Sequence, residues 1–352
     1  MTPLPFDPLC QSWLRGATRA ADWFAARADE AGRLDGELRD LGSCYKWPLF
    51  LCSLGRMDLA QTVLQTIVDD FMTNQGDFRS GADKSGDPLY GLIADSYTNT
   101  WPIVAARVLD RPDIGRPALE CLRARRVART GGFLTGFLDQ HTDRRQDIVT
   151  IAGCGNAFLA WEELTEAVAA GDCLIRVLEM QKGPANPFHL YIDGDGKRLT
   201  QLDIPEELAF IRLDQPEQVY VYLGMAAVFL ARLFAVTGAR RFLEGAQGYF
   251  AVNQSCGEAV YGGTGCCKTG WAAATLFRLT GRAEYRYSAR RAAAEVLKAQ
   301  REDGSWQEKD RSAVNNSDAT GELGYHLVQY CMELAACKMS TAVILSTFVG
   351  AL

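Results

Sequence analysis

Apolar residues fall along this chain in two alternating kinds of run. One kind is apolar on nearly every side, as in LFLCSLG at 49–55 and GMAAVFLARLF at 224–234, and a helix apolar all round is one that will be buried. The other carries charge at helical spacing, as Arg286, Arg290, Arg291, Glu295 and Lys298 do within 283–300, leaving one stripe to bury. The two kinds occur in sequence as pairs: 47–55 with 57–71, 101–109 with 118–127, 156–164 with 168–180, 227–238 with 240–252, and 272–281 with 283–300. AVFLARLFAVTG and AAATLFRLTG both stop at Thr-Gly, and glycine is the favoured residue just past a helix end. Adding a last inner helix at 324–336 and a first outer helix at 11–31 gives six of each. The pattern predicts an all-α, (α/α)6 toroid, an inner ring of buried helices wrapped by an outer ring, as one domain over 1–352.

A second signal follows the outer helices: QREDGSW at 300–306, NQGDF at 74–78 and TGGF at 130–133. Glycine permits a turn at positive φ, and the aromatic residue is placed to fold back on the helix pair. QREDGSW resembles the QW repeat of the terpenoid cyclase and protein prenyltransferase α/α-toroid superfamily. In plan the chain is also similar to linalool dehydratase-isomerases and to sugar epimerases and hydrolases on the same toroid. The resemblance implies an active site in the central cavity, but not the superfamily's charged motifs. The acidic DxDD string is absent. Asp69-Asp70-Phe71-Met72 lacks the fifth-position Asp of a DDxxD site and falls on an outer helix. The zinc ligands of lanthionine cyclases have no counterpart.

Composition narrows the class. Of 352 residues 48% are hydrophobic, and the formal net charge is −6, which does not suit a nucleic-acid partner. The basic runs at 123–126 and 286–291 lie on amphipathic helices and read as solvated faces. Eleven cysteines are an odd, dispersed set. Cys52, Cys121, Cys173 and Cys331 sit in apolar stretches, where Cys packs as a small hydrophobe. Reduced thiols, no signal-like N-terminus and an apolar stretch at 342–352 too short for a bilayer give the expectation of a cytoplasmic protein without membrane partner; homodimerisation is left open. The segment 187–201 alternates around Asp193-Gly194-Asp195-Gly196, a hairpin signal, and begins an excursion suited to a pocket wall.

In a toroid, the segment leading into each inner helix opens on the cavity. These segments are far more polar than the helices behind them. They carry Asp40, Cys44, Tyr45 and Lys46; then Asp95, Tyr97, Asn99 and Trp101; then Asp147, Thr150, Cys154 and Asn156. Glu217, Tyr220 and Tyr222 precede the fourth helix, Cys266, Cys267, Lys268 and Trp271 the fifth, and Tyr325 and His326 the sixth. Any one of the acids reads equally well as an N-cap; it is their presence around the ring that points to acid–base work. Asp40 and Asp95 are the expected acid and base, with Glu217 assisting. Lys268 and Lys46 would orient an anionic group or form salt bridges. Tyr45, Tyr97, Asn99, Trp101, Asp147, Cys154, Tyr220, Tyr222, Cys267, Trp271 and His326 would form the wall. No metal and no other cofactor is expected. The three histidines, His141, His189 and His326, show no ligand spacing and no CxxC occurs. The glycine run before Cys266 is no phosphate loop, and Asp193-Gly194-Asp195 lacks the closing Glu of a calcium loop.

Three functions follow. The first is a cofactor-independent cyclase, isomerase or lyase acting on a largely apolar small molecule, terpenoid or polyketide-like, as in secondary metabolism. The second is a sugar epimerase or glycoside hydrolase using paired carboxylates. The third is a non-catalytic binding protein.

Overall fold

A computed structural model describes residues 8–34, 40–80, 95–136, 144–181, 187–307 and 312–349, with side chains in the last segment described as far as Ala336; His141 lies outside these residues. Six helices form the inner ring: α3 (Trp47–Ser53), α5 (Asp95–Val108), α7 (Ile148–Ala160), α10 (Val221–Thr237), α12 (Cys267–Thr280) and α14 (Ala313–Val349). Six more wrap it: α1 (Pro8–Ala25), α4 (Met57–Phe71), α6 (Pro112–Ala124), α8 (Leu164–Met180), α11 (Arg240–Ser255) and α13 (Ala283–Lys298). Each inner helix packs on the next, and α14 closes the ring against α3 and the short α2 (Leu41–Cys44). The first outer helix, α1, packs on the last inner one, α14, so the two ends of the chain complete one pair. The expected (α/α)6 toroid is the observed architecture. Among the described residues, no helix is long and apolar enough to cross a membrane.

Neighbouring inner helices interlock by seating a ring in a glycine notch, Phe229 over Gly155 and Phe50 over Gly324. All four residues sit in the buried wall, where close packing rewards such shape matching. The recurrent glycine turns explain how one helix pair holds the next. After α13, Gly304 sits at φ +95, and a Cβ there would collide with the Arg19 carbonyl of α1. After α4, Gly76 at φ +82 would meet the Pro117 carbonyl of α6 in the same way. The aromatic that follows returns to the core, Phe78 and Trp306 being buried, and Trp306 Nε1 donates to Val296 O at 2.7 Å. Gln300 Nε2 donates to Gly16 O and Gly304 O, both at 2.8 Å. The QREDGSW string is thus the clasp that fastens α13 to α1 and closes the outer ring.

Helix starts differ from the sequence expectation in one direction. Inner helices α5, α7, α10, α12 and α14 begin at 95, 148, 221, 267 and 313 rather than at 101, 156, 227, 272 and 324. The added turns of α5 and α12 carry polar residues, Asp95, Ser96, Thr98, Lys268 and Thr269, that are nonetheless buried. The first outer helix spans 8–25 rather than 11–31.

The segment 187–201 forms the expected hairpin turn in a short version, and its strands also pair with distant segments. Asp193 makes the tight turn, its Oδ1 accepting from the amides of Asp195 and Lys197 at 2.8 Å. Across that turn Ile192 bridges Arg198, the Asp193 amide donates to Lys197 O at 2.9 Å and the Leu199 amide donates to Tyr191 O at 3.0 Å. The distant pairings are β3 (Tyr191–Ile192) with β1 (Gln146–Asp147), and β2 (Phe188–His189) with β4 (Phe210–Ile211), which follows the short α9 (Glu206–Ala209). The register sets Asp147 opposite Tyr191.

Gly304→Ala is expected to destabilise the fold by at least about 1 kcal/mol, since the new residue is strained at positive φ and strikes the α1 backbone. Gly263→Ala, in extended backbone at φ 172 with nothing within 4 Å of the added carbon, should stay within about 0.5 kcal/mol of the parent. Urea unfolding of both variants checks the pair, and an equally stable Gly304→Ala would contradict the clasp.

Candidate active site

The first turns of α3, α12 and α14 meet at the N-terminal end of the lumen around one carboxylate, Glu322. Its Oε2 lies 2.6 Å from Lys46 Nζ, and its Oε1 lies 2.6 Å from Lys268 Nζ. Lys46 also reaches Asp318 at 2.8 Å. Asp318, Glu322 and His326 are spaced four residues apart on α14, which puts them on one helix face. Both lysines are almost wholly buried, at 3% and 4% exposure, and His326 is wholly buried.

Burial pushes the Glu322 carboxyl upward, but Lys268, Lys46 and His326 outweigh it and hold the group well below the usual carboxylate range. Burial likewise works to lower Lys268, and the Glu322 carboxylate more than reverses it, so the ammonium is retained. His326 is the opposite case. Burial lowers it, Glu322 at 3.6 Å from Nε2 supports the charged form, and Lys268 and Lys46 oppose it, leaving the imidazole lowered to about 3. It is a neutral ring beside two cations. Neither of its ring nitrogens has a hydrogen-bond partner among the described residues.

Aromatic rings wall this cluster. Lys268 lies 5.4 Å from the Tyr97 ring centre, and Lys46 lies 5.2 Å from that of Tyr45 and 5.5 Å from that of Trp101, distances at which a ring face attracts a cation. Trp101, Tyr325 and Trp271 meet edge to face at 5.2 and 5.7 Å and form a layer across the lumen, and the Trp271 ring lies tilted against His326 at 5.2 Å. On the facing wall Tyr222 lies beside Tyr191 and Asp147. Burial first, and then these neighbours, push its phenol well above its ordinary value. The Tyr97 hydroxyl is buried without a partner among the described residues.

Of the residues singled out from sequence, Lys46, Lys268, Tyr45, Tyr97, Trp101, Cys267, Trp271 and His326 come together here. Asp147 is buried beside Tyr222, but it caps α7 through the Thr150 amide at 2.8 Å and accepts from Thr135 Oγ1 at 2.6 Å. Burial still raises its pKa against those bonds. Asp95 is buried near Arg125, which pairs with Asp77 at 2.9 Å. Asn99 joins that network, donating to Asp77 Oδ1 at 2.7 Å and accepting from the Phe78 amide at 3.2 Å, so it holds the turn after α4. Cys154 is buried in α7 near the same Arg125. Tyr220 spends its hydroxyl on Gln215 O at 3.0 Å. Asp40 is half-exposed and caps α2 through the Gly42 amide at 2.8 Å. Glu217 is exposed on the segment before α10 at φ +58. The structure does not bring Asp40 or Glu217 to the lysines; the carboxylates there are Asp318 and Glu322, which lie just before the stretch 324–336 expected to form the last inner helix.

Cys267 Sγ, a Glu322 oxygen and a His326 nitrogen lie within 4.8 Å of one another, a set able to hold a metal ion. Both Glu322 oxygens are already spent on ammonium groups, so a cation would have to displace at least one lysine. Burial pushes the Cys267 thiol far up and the Cys266 thiol up to about 12, which keeps both protonated.

No family model matches the chain and no curated protein matches its sequence. Solved structures do match. D-mannose isomerase aligns with a TM-score of 0.69 and 12% identity over 95% of this chain and 99% of that one. Cellobiose 2-epimerase from Spirochaeta thermophila aligns at 0.63 and 12%, over 96% and 100%. A type II terpene cyclase from Scytonema aligns at 0.59 and 13%, over 93% and 99%. The chain therefore has the α/α-toroid fold that sugar isomerases and terpene cyclases share, as the resemblance in its sequence implied.

Proposed function

We propose that this protein is an isomerase that moves a proton at the carbon beside a carbonyl group of a small polar substrate, of the kind a sugar presents. The observation that carries this reading is His326, a wholly buried neutral imidazole with no hydrogen-bond partner among the described residues, set beside the ion-paired ammonium groups of Lys46 and Lys268. An unmet buried polar group is costly, and a neutral base beside fixed cations is what proton abstraction next to a carbonyl requires.

In this mechanism His326 takes the C–H proton, and the electron pair passes to the carbonyl oxygen. Lys46 and Lys268 stabilise the oxyanion that results. As that oxyanion offsets their charge, the field that holds the imidazole at low basicity weakens, and Glu322 stabilises the imidazolium. The proton returns to the neighbouring carbon for an aldose–ketose isomerisation, or to the other face of the same carbon for an epimerisation. Tyr97, with an unmet hydroxyl in the same wall, is placed to move a proton between substrate oxygens.

The charge at this end of the lumen favours a polar substrate over the apolar molecule expected from the aromatic residues alone. A hydrocarbon laid over Lys46, Lys268, Asp318 and Glu322 would strip their remaining water without offering a hydrogen bond. D-mannose isomerase and cellobiose 2-epimerase, named for sugars, share the fold. The layer of Trp101, Tyr325 and Trp271 supports a second reading, a terpene cyclase-like stabilisation of a cationic intermediate.

The test is exchange. Incubated with aldoses and ketoses in D2O, the protein is expected to introduce deuterium at the carbon next to the carbonyl, read by NMR. His326→Asn should lower that rate by about 100-fold or more with helical circular dichroism unchanged. No exchange on any sugar, or undiminished exchange in the variant, would refute the assignment.

Stability should report the same imidazole. Its ordinary value is 6.5 and its folded value about 3, so between these the unfolded chain binds a proton that the folded chain does not. The contribution of the neutral ring is present above pH 6.5 and is lost as pH falls towards 3, at up to about 1.4 kcal/mol per pH unit. Urea unfolding from pH 7 to pH 4 should show a shallower decline for His326→Asn than for the parent, and parallel curves would mean the ring is already charged.

A further inference from the structure

We propose that the other end of the lumen is a binding site for a small anion, separate from the His326 cluster. Below the aromatic layer, towards the C-terminal ends of the inner helices, lies a cavity of about 50 Å3. Its polar lining is unusual in sign. Arg232 of α10, Asn156 of α7, and the indoles of Trp101 and Trp271 all present hydrogen-bond donors to it, and no carboxylate lines it. Asn156 Nδ2, Trp101 Nε1 and Trp271 Nε1 are buried with no acceptor among the described residues.

Arg232 is half-buried. Its Nη2 donates to Gln329 Oε1 at 3.2 Å, its guanidinium lies 4.6 Å from the Trp271 ring centre, and it sits beside the Tyr325 phenol. Among the described residues no carboxylate lies within ion-pair distance of it. Glu333, one turn along α14 from Gln329, is taken by Arg278. A guanidinium offers five donors, and the Gln329 amide oxygen and the Tyr325 phenol, both neutral, do not balance its charge.

Three neutral donors and a cation around one space call for a partner that accepts from all of them. Water could give its hydrogens to the Thr100, Tyr325 and Asn156 oxygens that share the lining, but it would leave the guanidinium charge uncompensated. An anion accepts on every side, and a charge-assisted bond to Arg232 is stronger than a neutral one. The volume limits the ligand to a halide, a short carboxylate or a phosphate-sized oxyanion. The donors come from α5, α7, α10 and α12, and Leu49 of α3 and Tyr325 of α14 complete the lining, so occupancy would brace the inner ring.

The experiment compares sodium chloride, sodium acetate and sodium phosphate at equal pH and ionic strength, reading the thermal midpoint and tryptophan fluorescence of the full chain. The expected result is a saturable rise in midpoint with at least one of these anions, as binding to the folded state alone demands, with a parallel fluorescence change from Trp101 and Trp271. Which anion saturates identifies the class, whether halide, carboxylate or phosphate. Arg232→Met should weaken the apparent affinity at least about tenfold, and Arg232→Lys should recover part of it. If Arg232→Met fails to fold, Asn156→Leu takes its place with the same expectation. Responses that never saturate, or that are the same in parent and variants for every anion, would overturn the site.

Discussion

Glu322 is the group on which the inner end of the toroid depends. It comes from the last inner helix and holds lysines from the first and the fifth, so one carboxylate ties α14 to both α3 and α12. Buried ion pairs add little net stability, because desolvating each charge offsets the attraction. A ring that needed only to be closed could have used leucines here. The arrangement instead keeps the Lys268 ammonium charged in a place where burial works against it. It also sets the state of what lies near it: burial first, and then Lys268 and Lys46, keep His326 neutral, while the Glu322 carboxylate keeps Lys268 charged.

The architecture was legible in the sequence because the ring repeats one instruction. A helix apolar all round has nowhere to go but inside, and a striped helix has only one side to bury. The glycine-aromatic turns carry the second instruction, and Gly76 and Gly304 show its physical content: each lets one outer helix end press against the backbone of another outer helix. The hairpin around Asp193 was legible only in part. Its turn chemistry is local and was readable, but the partners of Tyr191 and Phe188 are segments far away in the chain, and no local pattern specifies them.

The candidate site was legible wherever polar residues sat close to an obviously apolar run, as Lys46, Lys268 and His326 do. It was not legible where the helix started earlier than its apolar part. VNNSDATGEL at 314–323 has the composition of a loop, with two asparagines and a glycine, yet it forms the first turns of α14. The available signal was period, not polarity. Asp318, Glu322 and His326 recur every fourth residue and continue the face of the apolar helix beyond them. Asp40 and Glu217 misled for the complementary reason. A carboxylate in front of a helix can bond its own backbone, and Asp40 does so at the Gly42 amide, which turns it away from the axis.

The direction of the inner helices adds a reason to read the lysines as chemical rather than structural. All six point their N-termini at the same end of the lumen, and the partial positive charge at each helix start favours anions there. Asp147, capping α7, follows that preference. Lys46 and Lys268, at the starts of α3 and α12, go against it. Each meets an unfavourable dipole, a second ammonium and loss of water together, and Asp318 and Glu322 are needed to hold them. In the proposed reaction, that cost would be offset by what the lysines do to the ligand. The same helix ends add to that effect, because an oxyanion forming between the lysines would meet the positive ends of the surrounding helices as well as the two ammonium groups.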